Sequence, residues 1–421
     1  MLDSKVNVHL IKELNESRVL KLIKKERMIS RIELARKTNI SKVAISEIVN
    51  RLINQGYVVE VGKGNSTKKG GKKPTLLKLN PENGYVVGLE IKSKKTRVAI
   101  ANLDSEIVAE GEVSYELGST IDDVIQSIFE EVDRLLAVRP QYRERLKGIG
   151  IGIPGFINYS KGELIYADTM RGWDNKPIAS RFAERYGVSV FLENDVKAMA
   201  LGEYLLGAGK GKDNIACIHI GEGVGAGIIV EGHLLRGDFG SAGEVGYLEL
   251  GYCIHDRSFL RNLYTTQKYF GDILRDDHLL NTIKLQIRMS YNVKMDKVNE
   301  LTLEDLISEG NQYWPVVQDI LDEFAFLIAL LCTDMIKIIN TGLIILSGRT
   351  VETSVYLAEK VRELVKHSIF GIPFPYTHIA ISELGRDGVL LGVIAMALQY
   401  VFDPLYFKKT PIKYLNLTNV V

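Results

Sequence analysis

Three cysteines in 421 residues, Cys217, Cys253 and Cys332, are too few and too scattered for a disulfide framework or a zinc ribbon. The chain opens MLDSKVNVHL and lacks the charged start and apolar core of a secretory signal. No apolar run reaches the roughly 18 residues that a membrane-spanning helix needs, the longest candidate lying near Phe324–Cys332. These absences predict a cytoplasmic protein with no membrane partner. Net charge is nearly absent as well, at +1, but that figure conceals an asymmetry. Residues 1–80 hold 18 Lys/Arg against 7 Asp/Glu, a net of +11, and the rest hold 35 against 45, a net of −10. A basic head on an acidic body is the charge layout of a nucleic-acid binder with a separate sensing part, the bland alternative being a solvated basic surface. At roughly 100–200 residues per domain, the length predicts two or three domains.

In the head, apolar residues recur at helical spacing between Val6 and Met28: Leu10, Ile11, Leu14, Val19, Leu20, Leu22 and Ile23. Ser30 with Glu33 three residues on is a capping box that starts a short helix, Arg31–Thr38. After the turn Asn39–Ile40, Ser41 caps a second helix, Lys42–Asn54. Leu34, Ala35, Ile40, Val43, Ile48, Val49 and Leu52 are expected to face inward. Ser41, Lys42, Ala44, Ser46, Glu47 and Asn50 are expected outward, as short or polar groups able to reach base edges and phosphates. Two strands follow, Tyr57–Val61 and Pro74–Leu79, joined by GKGNSTKKGGKK with Lys63, Lys68, Lys69, Lys72 and Lys73. Glycines let a backbone lie close to phosphates and lysines neutralise them. The pattern is a winged helix-turn-helix DNA-binding domain over 1–80, the bland alternative being a helical hairpin for protein contact.

From residue 81 the pattern alternates strand and helix. Strands are expected at Tyr85–Ile91, Arg97–Leu103, Ile107–Ser114, Leu146–Ile153, Val188–Leu192, Ile215–Ile220, Ala226–Val230, Gly342–Ser347 and His378–Ser382, with a hairpin at Gly232–Leu235. Helices are expected at Ile121–Val138, Ala198–Leu206, Val316–Ile339, Val351–Val365 and Val389–Tyr400. Such alternation implies α/β layers, here in two similar halves. Residues 253–312, with Gln267, Tyr269, Arg275 and Asp276, read as a charged helical region of less definite role.

The stretches GIGIGIPGFI, GWDN, ENDVKAMALGE, HIGEGVGAGIIVEGHLLRGDFGSAGEVGY and LIILSGR carry a resemblance. With them the body resembles the ROK family (repressors, open reading frames, kinases), and the chain as a whole its xylose-repressor branch. The resemblance implies an α/β two-lobed actin-like or hexokinase-like ATPase fold, with a smaller lobe of 81–195 and 384–421 and a larger lobe of 196–383 bearing a dimerisation surface. It places Asp195 at the position of the kinases' catalytic base and Asn194 and Glu244 among hydroxyl-binding residues, with Gly155 and Tyr247 beside the ligand in a cleft between lobes. The local alternative for Glu193–Asp195 is a strand-to-helix turn with Asp195 as N-cap.

Departures from the family pattern bear on activity. The first phosphate turn reads Glu90–Ile91–Lys92–Ser93–Lys94–Lys95, with no glycine to let the backbone close on a phosphate. In the second, Gly221–Gly227, Glu222 puts a carboxylate where the family usually has a hydroxyl, and it would repel a triphosphate. A competing reading has Lys92, Lys94 and Lys95 bind phosphate by charge. The family's zinc cluster is reduced to Cys253 and His255, too few ligands for a structural site, and its histidine is replaced by Tyr247. The sequence thus predicts no metal, no cofactor and no catalytic residue, Asp195 being vestigial. The expected function is a sugar-responsive repressor that binds a palindromic operator as a homodimer or higher oligomer and is released by its sugar. The alternatives are a bifunctional sugar kinase with a DNA-binding head, and a regulator that senses a protein partner.

Overall fold

The computed structural model describes residues 8–63, 73–116, 118–250, 269–292, 298–368 and 377–403. They fall into two compact units: residues up to Glu193 together with those from Val393 onward, and Asn194–Gly392.

The first unit begins with helix α1 (Val8–Glu26), strand β1 (Ile29–Ser30), and helices α2 (Arg31–Thr38) and α3 (Lys42–Asn54). Strands β2 (Val58–Lys63) and β3 (Thr75–Leu79) complete a three-stranded sheet of order β1-β3-β2. This is a winged helix. The predicted capping box is present: the Ser30 hydroxyl accepts from the Glu33 amide, and Glu33 accepts in return from the Ser30 amide at 2.9 Å. Asn39 adopts the left-handed conformation between the helices, and Ser41 caps α3 through the Ala44 amide. Ile45, Ile48, Val49 and Leu52 of α3 pack inward with Leu34, Val19, Leu20, Ile23 and Ile29. Val43, expected inside, is 71% exposed, and Ile45 fills the core instead. At about 100° per residue, the centre of the buried arc lies near Leu52, and Val43 sits almost opposite to it. Ala35 and Ile40 are only partly covered.

The head is fastened to the rest of its unit at several points. The Ser17 hydroxyl donates to the Phe402 carbonyl at 2.6 Å, and Lys21 pairs with Asp403. Lys24 donates to the Leu103 carbonyl at 2.7 Å and lies 4.5 Å from the centre of the Phe402 ring. Burial pulls the Lys24 ammonium down to about 8, with Asp104 opposing the shift.

Beyond the head, the unit contains β4 (Tyr85–Ile91), β5 (Lys95–Asn102), β6 (Ile107–Ser114), α4 (Ile121–Leu136), α5 (Pro140–Glu144) and β7 (Leu146–Ile153). A small sheet of β8 (Phe156–Asn158), β9 (Glu163–Tyr166) and β10 (Lys176–Pro177) follows, then α6 (Ile178–Tyr186) and β11 (Ser189–Asn194). The main sheet has the order β11-β7-β4-β5-β6. Helix α4 lays Val124, Ile128, Val132 and Leu135, spaced by three or four, on that sheet. The small sheet and α6 escape sequence reading because two of the three strands have three residues or fewer.

The second unit repeats this plan. After α7 (Asp195–Leu206) come β12 (Ile215–Ile220), β13 (Val224–Val230), β14 (His233–Leu234), β15 (Leu343–Ser347) and β16 (His378–Ile381), in the order β14-β13-β12-β15-β16. In both sheets an antiparallel three-strand meander is extended by a parallel strand beside its first member, β7 beside β4 and β15 beside β12. That duplication is the two-halved α/β arrangement implied by the family resemblance. The helix Trp314–Ile339 buries Leu321, Ala325, Ile328 and Cys332 in the core of this unit. The single helix expected over Val351–Val365 is two, Arg349–Thr353 and Val355–Ser368. Ser354 breaks it by turning extended and capping the Leu357 amide with its hydroxyl.

The closing helix Gly388–Phe402 gives its first turn to the second unit and the remainder to the first. The window Gly385–Phe402 has mean hydropathy 1.3 over 18 residues and, by length and composition, is long and apolar enough to cross a membrane, which the sequence reading did not expect of any segment. It is 61% buried within the fold, as a core helix would be. In the second unit its first turn crosses α7 at glycines: a Cβ on Gly202 would lie 2.6 Å from the Gly388 carbonyl oxygen, and one on Gly392 would overlap that of Ala198.

Candidate functional site

Two regions carry the candidate chemistry. In the head, Ser41, Lys42, Val43, Glu47 and Asn50 are exposed on α3, while Ala44 and Ser46 are half-buried. The Ser46 hydroxyl turns back to the Lys42 carbonyl at 2.9 Å. The Asn50 side-chain oxygen accepts from Arg31 at 3.2 Å, and Arg31 is paired with Glu60 at 2.7 Å. At the base of the wing, Lys63 stands opposite Thr75 in the β2–β3 ladder, and both Lys63 and Lys73 are exposed. Lys68, Lys69 and Lys72 lie outside the described residues.

The second region is where β11 passes into α7. Asn194 is the N-cap, accepting from the Lys197 amide at 3.1 Å; Asp195, which the local alternative put in that role, is the first helical residue. The cap fixes Asp195 at a helix N-terminus, half-exposed, where the dipole favours a carboxylate. One residue earlier, buried Glu193 accepts from the Tyr159 hydroxyl at 2.6 Å. Sequence reading passes over that pair because 34 residues separate its members.

Lys197 is the other residue it passes over, although a lysine within the small-residue run VKAMALG is a visible anomaly. Its side chain is 2% exposed, and its ammonium donates at 3.5 Å to Glu244, whose carboxylate is 25% exposed. Glu244 is held by its backbone. Gly243 has φ +86° and its carbonyl accepts from Ala226 at 2.7 Å, so the segment hugs β13 with no room for a side chain at Gly243. Burial raises the Glu244 carboxyl above its ordinary value, and Lys197 opposes the rise. Tyr247, three residues on, is half exposed with its ring 6.2 Å from that of Tyr269. Asn194, Asp195, Lys197, Glu244 and Tyr247 thus combine acceptors, one cation and a phenol, the mixture that reads hydroxyls.

Gly155 belongs to the first unit, with φ +105°. A Cβ there would lie 2.6 Å from that of Ala167 and would overlap the Tyr166 carbonyl, so this position has no room for a side chain.

Lys197→Met is expected to lower stability at pH 8 by about 1–3 kcal/mol, the cost of a half-buried carboxylate left without its cation. The sign follows from the raised Glu244 carboxyl. The native state holds that proton to higher pH than the unfolded chain does, so its contribution falls as pH rises above the ordinary carboxylate range. The loss in the variant therefore shrinks on acidification; urea midpoints at pH 8 and pH 5.5 check this. An equal loss at both would mean that packing, not charge, is what Lys197 supplies.

The two turns expected to meet phosphate are closed internally. The β4–β5 connection is a tight hairpin, the Lys92 amide donating to the Lys95 carbonyl at 2.9 Å. Lys92 and Arg97 are paired with buried Glu90, and Lys95 with Glu112. Between β12 and β13, Glu222 is exposed, and the Gly221 amide donates to the Gly223 carbonyl at 3.0 Å. The Gly348 amide, ahead of the helix Arg349–Thr353, is taken by the Glu352 carboxylate at 2.9 Å. Cys253 and His255 lie outside the described residues; among those described, no three His, Cys, Asp or Glu side chains cluster as metal ligands would.

Comparison with known proteins accords with this anatomy. A model of the ROK family matches residues 86–262, and one of winged helix-turn-helix DNA-binding domains matches 13–59. The chain is 27% identical to the xylose repressor of Caldicellulosiruptor bescii over 395 residues, covering 93% of this chain and 97% of that protein. It is 30% identical to the xylose repressor of Staphylococcus xylosus over 302 residues, covering 68% of this chain and 72% of that one. Among solved structures, a ROK family transcriptional regulator described as a homologue of the E. coli MLC protein superposes with a TM-score of 0.78 at 20% identity, covering 96% of this chain and 99% of its own. At that identity the likeness establishes the fold, head included.

Proposed function

The chain belongs to the ROK family, and from that premise we propose that it is a sugar-responsive transcriptional repressor that does not phosphorylate its ligand. Its head binds a palindromic operator as a homodimer, since two reading helices one DNA turn apart are needed for two half-sites. Its body binds an unphosphorylated sugar through Asn194, Asp195, Glu244 and Tyr247, and the bound sugar releases the DNA. D-xylose is the first candidate, because relatives alignable over 93% of this chain are named xylose repressors. A sugar releases DNA only by binding the DNA-free state more tightly than the DNA-competent one.

The observation that carries the non-kinase reading is the β4–β5 hairpin. Two of the three lysines that would receive a triphosphate there, Lys92 and Lys95, are engaged by Glu90 and Glu112, and the turn lacks the glycine that admits a phosphate. Asp195 remains able to orient a hydroxyl without transferring anything to it.

A thermal-shift series with D-xylose, other monosaccharides, their phosphates and ATP with magnesium tests the reading. A ligand at about 100 times its Kd adds about 2.7 kcal/mol to the apparent stability. The expected result is a rise with one unphosphorylated sugar and none with ATP. ATP-dependent turnover abolished by Asp195→Asn would replace this reading with that of a kinase carrying a DNA-binding head. Silence across the sugars would remove the sugar from the proposal.

A further inference from the structure

On the reading that the head binds DNA, we propose that Val43 is a base-reading residue and that it recognises the C5-methyl group of a thymine in the major groove. Val43 is the second residue of α3 and is 71% exposed. On a helical projection it stands at the middle of the outward face. Glu47 and Asn50 flank it at about 40° and 20°, and Ser46 lies about 60° away. The buried arc of Ile45, Ile48, Val49 and Leu52 is centred on the opposite side.

The polar groups of that face are partly committed elsewhere. The Ser46 hydroxyl is spent on the Lys42 carbonyl. The Asn50 oxygen is held by Arg31, itself anchored to Glu60, so Asn50 cannot offer its full amide pair to an adenine without breaking that contact. Lys42 and the Ser41 cap lie at the helix start, where phosphates are met. What stands at the middle of the outward face in the first turn is therefore a branched apolar side chain. Val carries no hydrogen-bonding group, and in the major groove the one apolar mark on a base edge is the thymine methyl. A β-branched side chain in a helix has one dominant rotamer, so Val43 is presented in a fixed direction with little entropy left to lose on contact.

The test starts from the full chain and a random duplex pool, which requires no knowledge of the operator. After selection, each thymine of the enriched site is replaced in turn by deoxyuridine, which removes only the methyl group. Affinities are measured for the wild type, Val43→Ala and Val43→Thr. The proposal expects one thymine per half-site at which deoxyuridine weakens wild-type binding by about fourfold, the worth of one buried methyl-sized group. Val43→Ala should bind the unmodified site about as weakly and should no longer respond to deoxyuridine at that position. Val43→Thr, of the same shape with one hydroxyl, keeps part of the discrimination. A wild type indifferent to deoxyuridine at every position, or a Val43→Ala variant with an unchanged response, overturns the role of Val43 while leaving the head as a DNA-binding domain. A pool that enriches no sequence overturns sequence-specific binding itself, and this proposal with it.

Discussion

Alanine in place of Lys68, Lys69, Lys72 and Lys73 is expected to weaken DNA binding for every sequence alike and to flatten its salt dependence. Each lysine that neutralises a phosphate releases condensed counterions, and the slope of log K against log salt is about −0.9 per contact. Four contacts account for a slope of roughly −3.6, so between 50 and 200 mM salt they govern about a hundredfold change in affinity. These charges alternate with glycines, and the segment is tied at its base where Lys63 meets Thr75 in the ladder. Fluorescence anisotropy on a selected site and on a scrambled one, at several salt concentrations, measures the effect. A loss confined to the selected site would show that the segment reads bases, and an unchanged slope would show that it does not touch DNA.

Gly392→Ala is expected to cost more than about 4 kcal/mol, a large share of the 5–15 kcal/mol that stabilises a typical fold. The added methyl would overlap the Ala198 carbonyl of α7, and what it meets is backbone, which has no rotamer to yield. Gly202, across the same crossing, has similarly little room, so relief in one helix tightens the other. Gly223→Ala is the matched control, with no atom within 4 Å of its new Cβ. Urea unfolding should show a collapse of the midpoint for the first variant and almost none for the second. Equal midpoints would mean that the helices can part at small cost.

The head was legible almost residue by residue because its signals are local. The Ser30–Glu33 box, the Ser41 cap and the turn at Asn39 lie within three residues of what they control. Val43 departs from that pattern: its apolar type points inward, whereas rotation about the axis places it opposite the core. In the body, strands such as Tyr85–Ile91 and Ile215–Ile220 are legible as largely apolar runs broken by a single polar residue each, Glu90 and His219. The break at Ser354 did not, since helical periodicity continues across it and only the backbone turns. At the candidate ligand site, Asp195 and Glu244 could be found from motifs, but the Lys197–Glu244 pair could not, because it joins residues 47 apart across a fold that had yet to be built.

The helix Gly388–Phe402 has a consequence for how such a chain can diverge. Its far end presents the Phe402 carbonyl and ring to Ser17 and Lys24 of α1, so the beginning of the chain is seated on almost the last described turn. A head transplanted by recombination at residue 80 would arrive without that seat unless the new body ended in the same way. Lys24 would then bury an ammonium against nothing chosen to receive it. A DNA-reading module that looks detachable in sequence is thus expected to travel only with the helix that receives it, Gly388–Phe402.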